Sequence, residues 1–318
     1  MAPSGLPALL AGLLIPLSAQ GSPPRLRVAT WNMEWLVSPA TTRTSRLACL
    51  AGHRRTALPC DVALGAARTG ADFARLRHYA DLADADVIAF QEVEDVDTAA
   101  RVFAHHSFCM GAGRRTQNLG FAIRRGLRFA CQPDIDALAP AGHGRPGAAV
   151  LIDPGGPREI HLLTVHLKSG CADGPLDSRR EACDLLAAQL PLVGDWMQAQ
   201  DKAGRRHAVL GDFNRGWDAA VAPGALQAGG ARGRFGDASR DAGFSSCFAG
   251  QVFTRYIDHL LVGLTGSLRV VPGSFFRIRY TPEDVRHYQL SDHCPTGTVL
   301  QFASNTNGTP QHRIGQLA

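Results

Sequence analysis

Six short segments of the sequence place carboxylates, amides and histidines within or next to apolar runs. In chain order they read TWNME, FQEVED, TVHLKSG, LGDFNRG, YIDHLLV and LSDHCP. Carboxylate oxygens bind hard cations such as Mg²⁺ and Ca²⁺, and amides or imidazoles can hydrogen-bond phosphoryl oxygens as negative charge develops on them. A single Asp after a strand is more often a turn former than a ligand. Six such segments in one chain instead predict a site for a hard cation and a phosphodiester.

Most of these segments are predicted to lie at the ends of β-strands. The first strand shows a two-residue alternation of Leu26, Val28 and Thr30 with Arg25, Arg27 and Ala29. Val87–Phe90 is a short apolar run typical of a buried strand. Further strands are predicted at 119–123, 127–131, 148–152, 160–166, 207–211, 256–262 and 296–301. The polar segments end these strands or run into them, and LSDHCP precedes the last strand.

Two amphipathic helices are predicted between the strands. Asp72 is expected to cap the first helix, and Ser178, three residues before Glu181, has the spacing of a capping box for the second. Pro191 lacks the N–H that a helix interior needs, so it should kink or split the second helix. Irregular segments are predicted at 38–70 and 223–236.

The length and composition indicate one domain. The chain has 318 residues, 45% of them hydrophobic, and shows no internal repeat. No second apolar region is separated from the first by a linker. One mixed α/β domain is therefore predicted at 24–304, followed by a polar tail at 305–318. The formal net charge of +5 is compatible with a polyanionic substrate but does not establish one.

The first residues have the pattern of an export signal. Residues 2–19 contain no charged side chain and include the apolar run LPALLAGLLIPL at 6–17. This run is too short to span a bilayer, but it fits the apolar region of a signal peptide. The sequence AQG at 19–21 supplies a cleavage site of the small-x-small type. We therefore expect a signal peptide at 1–21 and a secreted or periplasmic protein.

The chain contains eight cysteines and no CxxC pair. Without such a pair, a zinc ribbon or a thioredoxin-like motif is not expected. An even number of dispersed cysteines behind an export-like leader instead predicts disulfides in an oxidising compartment. Their spacing leaves the connectivity open. Pairing of neighbours in the sequence is the working hypothesis: Cys49–Cys60, Cys109–Cys131, Cys171–Cys183 and Cys247–Cys294.

The motifs TWN, QE, VHL, GDFN, IDH and SDH, in this order, resemble the endonuclease/exonuclease/phosphatase superfamily, which includes DNase I and the apurinic endonucleases. The resemblance runs from Val28 to Val299. It implies an α/β fold, a four-layer α/β sandwich in which two mainly antiparallel sheets pack face to face with helices outside. It also implies a phosphodiesterase that uses Mg²⁺ or Mn²⁺, with Ca²⁺ as a further candidate.

The resemblance assigns residues to three tasks. The metal-binding residues would be Glu92, Asn32, Glu34 and Asp292. The catalytic residues would be Asp212, Asn214, His293, Asp258 and His166. Arg145 matches a position that contacts substrate phosphate, and Lys168 is a further candidate for such a contact.

The resemblance also implies a role for each central residue. Glu92 would be the principal metal carboxylate. Asp212 would orient or deprotonate the attacking water, and Asn214 would bind the phosphoryl group. Asp258 would pair with His293 and fix its tautomer, so that His293 contacts the phosphate or acts as acid or base.

One position departs from the family pattern. In DNase I the second histidine, which corresponds to His166 here, has a carboxylate partner on the strand that aligns with 117–124. This sequence has Gln117 and Asn118 there. His166 is therefore expected to lack an ionised partner, which puts general-acid action by it in doubt. It could still donate one hydrogen bond in the transition state.

The expected function is hydrolysis of DNA or RNA phosphodiester bonds by a secreted nuclease through metal-activated attack of water, with nucleic acid as the partner. Neither stable membrane association nor an obligate protein partner is expected. The first alternative is a lipid head-group phosphodiesterase or phosphatase, sphingomyelinase-like or inositol-phosphate-like, but no aromatic cluster for a membrane stands out. The second alternative is an inactive binding protein, which the retention of the expected acids, amides and histidines argues against.

Overall fold

The computed structural model describes residues 22–303, except 112, 114–115, 141–143, 174, 217–225, 227–234, 241, 252–253 and 265–266. The predicted signal peptide at 1–21 and the predicted tail at 305–318 lie outside the described residues, as does most of the predicted loop at 223–236. Within the described part, no helix is both long and apolar enough to cross a membrane.

Thirteen strands form two sheets within the described residues. They are β1 (Arg25–Leu36), β2 (Val87–Val93), β3 (His106–Met110), β4 (Asn118–Arg124), β5 (Phe129–Ile135), β6 (Gly147–Ile152), β7 (Ile160–His166), β8 (His207–Asp212), β9 (Phe235–Asp237), β10 (Asp258–Gly263), β11 (Leu268–Val270), β12 (Phe276–Arg277) and β13 (Thr296–Phe302). The first sheet has the order β11-β13-β1-β2-β4-β3, with β12 on β13, and the second has the order β5-β6-β7-β8-β10-β9. Of these pairs only β1–β2 and β7–β8 are parallel, so both sheets are mainly antiparallel, as predicted.

The longer helices pack on the outer faces of the two sheets. The helices are α1 (Pro39–Leu50), α2 (Cys60–Leu64), α3 (Gly70–Ala83), α4 (Val96–Val102), α5 (Glu181–Lys202) and α6 (Pro282–His287). Side chains of α3 and α4 form one apolar cluster with the first sheet, and those of α5 form another with the second sheet. A third cluster lies between the sheets. The four-layer α/β sandwich predicted from the resemblance is therefore confirmed.

The central strands bury both faces because successive side chains point to opposite sides of a sheet. In β1, Leu26 and Val28 pack between the sheets, whereas Trp31 packs under the helices. In β8, Leu210 packs between the sheets and Val209 packs against α5. Burial of one such aliphatic side chain contributes about 1.5–3 kcal/mol. Each central strand therefore has an inward row that faces the other sheet, and this row leads to the functional site.

Every strand predicted from the sequence is present, with shifted ends. Four strands were not predicted: β3, β9, β11 and β12, which have five, three, three and two residues. They lie at the sheet edges or, for β12, beside β13. Strands this short contain too few residues to show a two-residue alternation, so the sequence gave no signal for them.

Both predicted helix caps were wrong. The side chain of Thr69 caps α3 by accepting a hydrogen bond from the Asp72 N–H at 3.3 Å. Asp72 Oδ2 accepts in return from the Thr69 N–H at 2.6 Å, so Asp72 completes a capping box instead of starting the helix. α5 begins after Arg180 with no side-chain cap. Ser178 Oγ accepts from Arg180 Nε at 3.1 Å and forms no capping box with Glu181.

Pro191 does not split α5, which is one continuous helix from Glu181 to Lys202. A proline in a helix interior costs about 3 kcal/mol or more. The apolar side of α5 offsets this cost because four of its side chains are buried against the second sheet, each contributing about 1.5–3 kcal/mol. These side chains are Leu186, Leu190, Val193 and Met197.

The segment between β1 and α3 contains two helices, whereas the sequence analysis predicted an irregular segment at 38–70. Ser38 caps α1 through its side chain. Pro39 follows in the first turn, where the missing N–H has no helical partner to lose. Only Thr42 and Ser45 of α1 are buried. The helix therefore lacks the apolar periodicity from which a helix is predicted.

Four disulfides join the eight cysteines, and no cysteine is free. Cys49–Cys60 closes the segment between α1 and α2. Cys109–Cys131 joins β3 of the first sheet to β5 of the second. Cys171–Cys183 ties the loop after β7 to α5, and Cys247–Cys294 ties a loop to the segment before β13. These are the four pairs of the working hypothesis, and they hold loops near the ends of the central strands.

We expect the mature protein to show no alkylated cysteine after denaturation without reductant, measured by mass spectrometry. Reduction should lower the free energy of unfolding by about 2–5 kcal/mol for each bridge lost, measured by chemical denaturation with and without reductant. Alkylation of two or more cysteines in native material would contradict the disulfide framework.

Candidate active site

A layer of buried polar side chains closes the apolar core between the sheets at one edge. Gln91 of β2 is fully buried. Its Nε2 donates to the hydroxyl of Thr30 in β1 at 3.1 Å and to that of Thr164 in β7 at 2.9 Å. Gln91 is thus a structural residue that joins the two sheets. Asn32 and His166 are the next inward-facing positions after Thr30 and Thr164 on their strands.

Beyond this layer, polar residues from both sheets line one cavity of about 570 Å³, called here the catalytic cavity. The sequence-predicted residues that line it are Asn32, Glu34, Glu92, Arg145, His166, Asp212, Asn214, Asp292 and His293. Asp258 is buried behind His293. Lys168 is not among the described residues that line the cavity, and its backbone N–H donates to Gln189 Oε1 at 2.8 Å.

The Asn32 side chain joins acids from the two sheets. Its Nδ2 donates to Asp212 Oδ2 of β8 at 3.0 Å and to Glu92 Oε1 of β2 at 3.2 Å. Its Oδ1 accepts from the Glu34 N–H at 3.0 Å. Asn32 is almost fully buried, so water does not compete strongly for these contacts. Asn32 therefore sets the spacing between Glu92 and Asp212.

Three residues at this edge adopt the left-handed backbone conformation, with φ of 46° at Glu34, 52° at Trp35 and 60° at Glu92. Such a conformation costs of order 1–3 kcal/mol in a residue other than glycine. The pairing of β2 with β4 shifts register between Phe90 and Val93, on either side of Glu92. The Trp35 N–H donates to Glu92 Oε2 at 3.0 Å. The strained backbone therefore presents Glu92 to the cavity and fixes its carboxylate.

The GDFN segment holds the carboxylate of Asp212 from its own backbone. The Asn214 N–H donates to Asp212 Oδ1 at 2.7 Å, and Asn214 Nδ2 donates to Asp212 Oδ2 and to the carbonyl of Leu167, each at 3.1 Å. Gly211 is required before Asp212, because a Cβ there would lie 2.0 Å from the carbonyl oxygen of Val165 on the parallel neighbour β7. The close approach of β7 and β8 thus brings Asp212 next to His166.

His293 and Asp258 form a buried imidazole–carboxylate pair. His293 Nδ1 lies 2.9 Å from Asp258 Oδ2, and His293 Nε2 lies 3.7 Å from Asp212 Oδ2. Burial alone would lower the pKa of His293, but the charges of Asp258 and Asp212 outweigh it and hold this pKa well above its usual range. The carbonyl of His293 accepts from Trp31 Nε1 at 3.1 Å and from the Tyr280 hydroxyl. The ring is therefore fixed with Nε2 directed toward Asp212.

The carboxyl of Asp212 is shifted in the direction that favours its neutral form. Burial raises its pKa to about 7, the charge of Asp258 adds to this shift, and the charge of His293 and the contacts from Asn214 and Asn32 oppose it. A carboxyl with this pKa can accept and release a proton near neutral pH.

His166 is a neutral histidine in this site. Its Nε2 lies 3.6 Å from Glu92 Oε1 and from Asp212 Oδ2. Burial, followed by the positive charges of Arg145 and His293, lowers its pKa well below the usual range, so these distances are not ion pairs. Its Nδ1 is buried without a hydrogen-bond partner in the described part of the chain.

The family position that departs from the pattern serves a different residue here. Gln117 Nε2 donates to Glu92 Oε2 at 2.6 Å. Its Oε1 accepts from an Arg145 guanidinium N–H. Gln117 therefore links Arg145 to Glu92 instead of orienting His166.

Three carboxylates, those of Glu34, Glu92 and Asp292, form the acidic group of the cavity. Glu34 Oε2 accepts from the Asp292 N–H at 2.9 Å. Burial raises the pKa of Glu34 to about 7 with a contribution from Asp292, and burial raises the pKa of Asp292 with a contribution from Glu92. A divalent cation would relieve this repulsion, and carboxylate oxygens suit Mg²⁺ and Mn²⁺. The acidic group therefore fits a hard divalent cation.

A second set of ligand atoms is less suited to a metal. Atoms of Asp212, Asp258 and His293 lie within 4.8 Å of one another. However, His293 Nδ1 already lies 2.9 Å from Asp258 Oδ2. A metal ligand through Nε2 would need a neutral His293, whereas its neighbours favour the protonated ring. We therefore place the cation at the acidic group.

Arg68 is a residue of this site that the sequence analysis missed. Its NH1 donates to the carbonyls of Glu34 at 2.6 Å and Trp35 at 3.0 Å, and its NH2 donates to that of Leu290 at 2.8 Å. The guanidinium also lies 3.7 Å from Glu34 Oε2. Arg68 thus joins the end of β1 to the segment that precedes Asp292. It lies outside the six polar segments, so no pattern in the sequence indicated its role.

Structures of the same fold have been solved for proteins of distant sequence. Truncated TDP2 of Caenorhabditis elegans matches with a TM-score of 0.56 at 14% identity, over 88% of this chain and 98% of that chain. TDP2 of D. rerio in complex with a single-strand DNA product matches with 0.57 at 16%, over 87% and 99%. The mannosyl-6-phosphatase of Bacteroides thetaiotaomicron matches with 0.54 at 15%, over 87% and 100%. At these identities the likeness shows the fold alone.

Fold and site together define a phosphoester hydrolase. Residues 29–293 match the model of the Endonuclease/Exonuclease/phosphatase family, and the chain belongs to that family. No curated protein sequence matches it. Members of the family typically depend on a divalent metal, which agrees with the chemistry of the acidic group.

Asp258→Asn should lower the pKa of His293, because it removes a charge that opposes the effect of burial. We expect kcat to fall by about 10²–10⁴-fold, the range for a positioned acid or base. The pKa is measured by NMR titration of the His293 ring in EDTA. Asp237→Asn is the matched control, because Asp237 pairs with His259 at 3.2 Å outside the catalytic cavity. An unchanged His293 titration in Asp258→Asn would contradict the pairing.

Glu92→Gln should raise the metal concentration needed for half-maximal activity and lower turnover by about 10²-fold or more. Glu94→Gln is the control on the same strand end, since the Glu94 carboxylate accepts from the Ser38 N–H at 2.5 Å and from Thr41. It should affect stability without changing the metal requirement. Both are measured by titration of Mg²⁺ and Mn²⁺ into EDTA-treated enzyme. Full activity of the wild type in excess EDTA would disprove the metal assignment.

Proposed function

We propose that this protein is a secreted, metal-dependent nuclease that hydrolyses phosphodiester bonds of DNA or RNA. One observation carries the proposal: Asp212 and the His293–Asp258 pair meet the acidic group in a single cavity between the sheets. A phosphodiester needs both a group that handles the proton of water and positive charge near its phosphoryl oxygens. The single-strand DNA product held by D. rerio TDP2, a protein of the same fold, supports this choice.

Asp212 is assigned to the proton of the attacking water. Its carboxylate is held by Asn32 and by the N–H of Asn214, and its pKa of about 7 suits proton transfer near neutral pH. Asn214 donates both Nδ2 hydrogens, to Leu167 and to Asp212. Asn214 therefore positions Asp212 first, and it binds the phosphoryl group only by exchanging one of these hydrogen bonds.

His293 is assigned to the phosphoryl group. Asp258 occupies Nδ1, and the protonated ring directs an Nε2–H into the cavity. A charged donor at this position stabilises the negative charge that grows on a phosphoryl oxygen during the reaction. The same proton can pass to the leaving oxygen. Asp258 acts through His293 as a positioning residue.

The acidic group is assigned to Mg²⁺, with Mn²⁺ and Ca²⁺ as alternatives. Glu34, Glu92 and Asp292 would hold the cation through their carboxylate oxygens. When bound, a divalent cation supplies positive charge that polarises a phosphoryl oxygen. Asn32, predicted as a ligand, uses Nδ2 on the two acids and Oδ1 on the Glu34 N–H. Its proposed role is therefore to position the carboxylates.

Three residues have supporting roles in the proposal. Neutral His166 donates one hydrogen bond to the transition state, which needs no ionised partner. Arg145 lines the catalytic cavity and offers its guanidinium to a substrate phosphate. Lys168 does not line that cavity among the described residues, so a contact with the scissile phosphate is not proposed for it.

Secretion is proposed from two separate features. The signal-like sequence at 1–21 is one. The second is the set of four disulfides, which persist in oxidising compartments and are rare in the cytosol. The two features agree on a secreted or periplasmic location.

A lipid head-group phosphodiesterase is the second candidate function, and one observation favours it. Leu47 and Leu50 of α1 are 63% and 70% exposed, and Leu64 of α2 is 46% exposed. Exposed apolar side chains near a catalytic cavity can contact a membrane surface. No aromatic cluster accompanies these leucines in the α1–α2 segment, so the nuclease remains the preferred function.

The proposal predicts cleavage of nucleic acid and little action on lipid or sugar esters. Purified protein is incubated with plasmid, linear duplex, RNA, sphingomyelin vesicles, inositol phosphates and mannose 6-phosphate, with Mg²⁺ or with EDTA. We expect metal-dependent cleavage of DNA or RNA that falls steeply with salt, because each phosphate contact releases counterions. Vigorous hydrolysis of a lipid or a small phosphoester, with plasmid and RNA intact, would reject the nuclease and leave the hydrolase assignment in place.

A further inference from the structure

A second cavity of about 810 Å³ adjoins the catalytic cavity. Trp35, Leu58 and Gln117 line both cavities. Gln117 donates to Glu92 of the acidic group at 2.6 Å. A chain that occupies the catalytic cavity therefore meets the second cavity within the length of one such side chain. The second cavity is not needed for the chemistry described above, so it is open to another task.

The wall of the second cavity is held in place on both sides. One side is the disulfide loop, residues 49–60, which the Cys49–Cys60 bridge closes. The Leu58 N–H of this loop donates to Ser45 Oγ of α1 at 3.3 Å, and the Ala57 carbonyl accepts from Thr116 Oγ1 at 2.9 Å. Trp35 packs against the same segment in a small apolar cluster. The cavity therefore belongs to the fixed part of the fold.

The disulfide loop is basic. It contains His53, Arg54 and Arg55, all exposed, and no acidic residue lies between its two cysteines. Neither arginine forms an ion pair or a hydrogen bond within the described structure, and Arg54 lines the second cavity. The acid in that lining, Glu94, is already engaged by the Ser38 N–H at 2.5 Å.

We propose that the second cavity is a substrate subsite that takes the nucleotide next to the scissile phosphate, with Arg54 and Arg55 on a non-scissile phosphate. A guanidinium suits this task because its N–H groups match phosphate oxygens in pairs. The volume lies within the range of about 300–1,000 Å³ that small-ligand pockets show. The subsite rests on the proposed nuclease function and adds to it a preference for polymeric substrate.

The Cys49–Cys60 bridge follows as a determinant of the subsite. It closes an 11-residue separation around the two arginines. Without the bridge, the loop samples more conformations, and ordering it on the substrate costs conformational entropy. Loss of the bridge should therefore weaken binding of a nucleic-acid strand without altering the residues of the catalytic cavity.

The test separates strand binding from chemistry. Affinity for a fluorescein-labelled 12-nucleotide single strand is measured by anisotropy in EDTA, for the wild type, Arg54→Gln/Arg55→Gln and Arg125→Gln. Arg125 is the matched control, an exposed arginine directly after β4, at the end of that strand remote from Asn118. Steady-state hydrolysis of the same strand and of bis(p-nitrophenyl) phosphate is then measured with Mg²⁺.

We expect the double variant to bind the 12-mer roughly 5–20-fold more weakly, with a salt slope lower by about 1.4 because two single-strand phosphate contacts are lost. Arg125→Gln should bind as the wild type does. Hydrolysis of bis(p-nitrophenyl) phosphate should stay unchanged in the double variant, since this diester fills the catalytic cavity alone. Cys49→Ser/Cys60→Ser should reproduce the loss of strand binding in part.

Wild-type affinity and salt slope in the double variant would overturn the subsite, as would an equal loss on the small diester. Weaker binding of anionic phospholipid vesicles with unchanged strand binding would also overturn it and assign the loop to a membrane. Failure of the nuclease proposal looks different, because the wild type would then hydrolyse the small diester and leave the 12-mer intact.

Discussion

The hydrogen bonds that Asn32 donates to Asp212 and Glu92 are the interaction on which the site depends. They cross from one sheet to the other, so the distance between the two acids is set by the packing of the sheets. The inward rows of β1, β7 and β8 first bury aliphatic side chains and then end in these polar groups. A one-residue slip of β1 would replace Asn32 by an outward-facing residue. The apolar core thus determines the geometry of the chemistry.

Burying so many charges near one another is balanced by specific partners. Asp258 neutralises His293, and backbone N–H groups and amides hold Asp212 and Glu92. Left-handed conformations at Glu34, Trp35 and Glu92 are the strain that this arrangement tolerates. Strain of this kind persists only where the surrounding structure over-determines it. What remains unbalanced is the acidic group, and this excess negative charge is what a divalent cation complements.

The segment between β1 and α3 shows how a common site acquires features of one chain. Its helices bury few residues and lie outside the four layers of the sandwich. The disulfide closes it, and Arg68 at its end ties β1 to the segment before Asp292. A surface of this kind can change without disturbing the catalytic cavity, because the inward rows of the strands carry no part of it. Substrate preference can therefore vary while the chemistry stays fixed.

The sequence by itself determined the central strands, the family and the residues of the catalytic cavity, because these depend on local alternation and on motifs at strand ends. It did not determine the short edge strands or α1, which lack a periodic apolar pattern, nor the cap of α3, since Thr69 and Asp72 both fit a helix start. Only the tertiary structure showed that Gln117 serves Glu92, that Arg68 joins two segments of the site and that Lys168 lies outside the catalytic cavity. These contacts join residues far apart in the chain, and their geometry comes from how the two sheets pack.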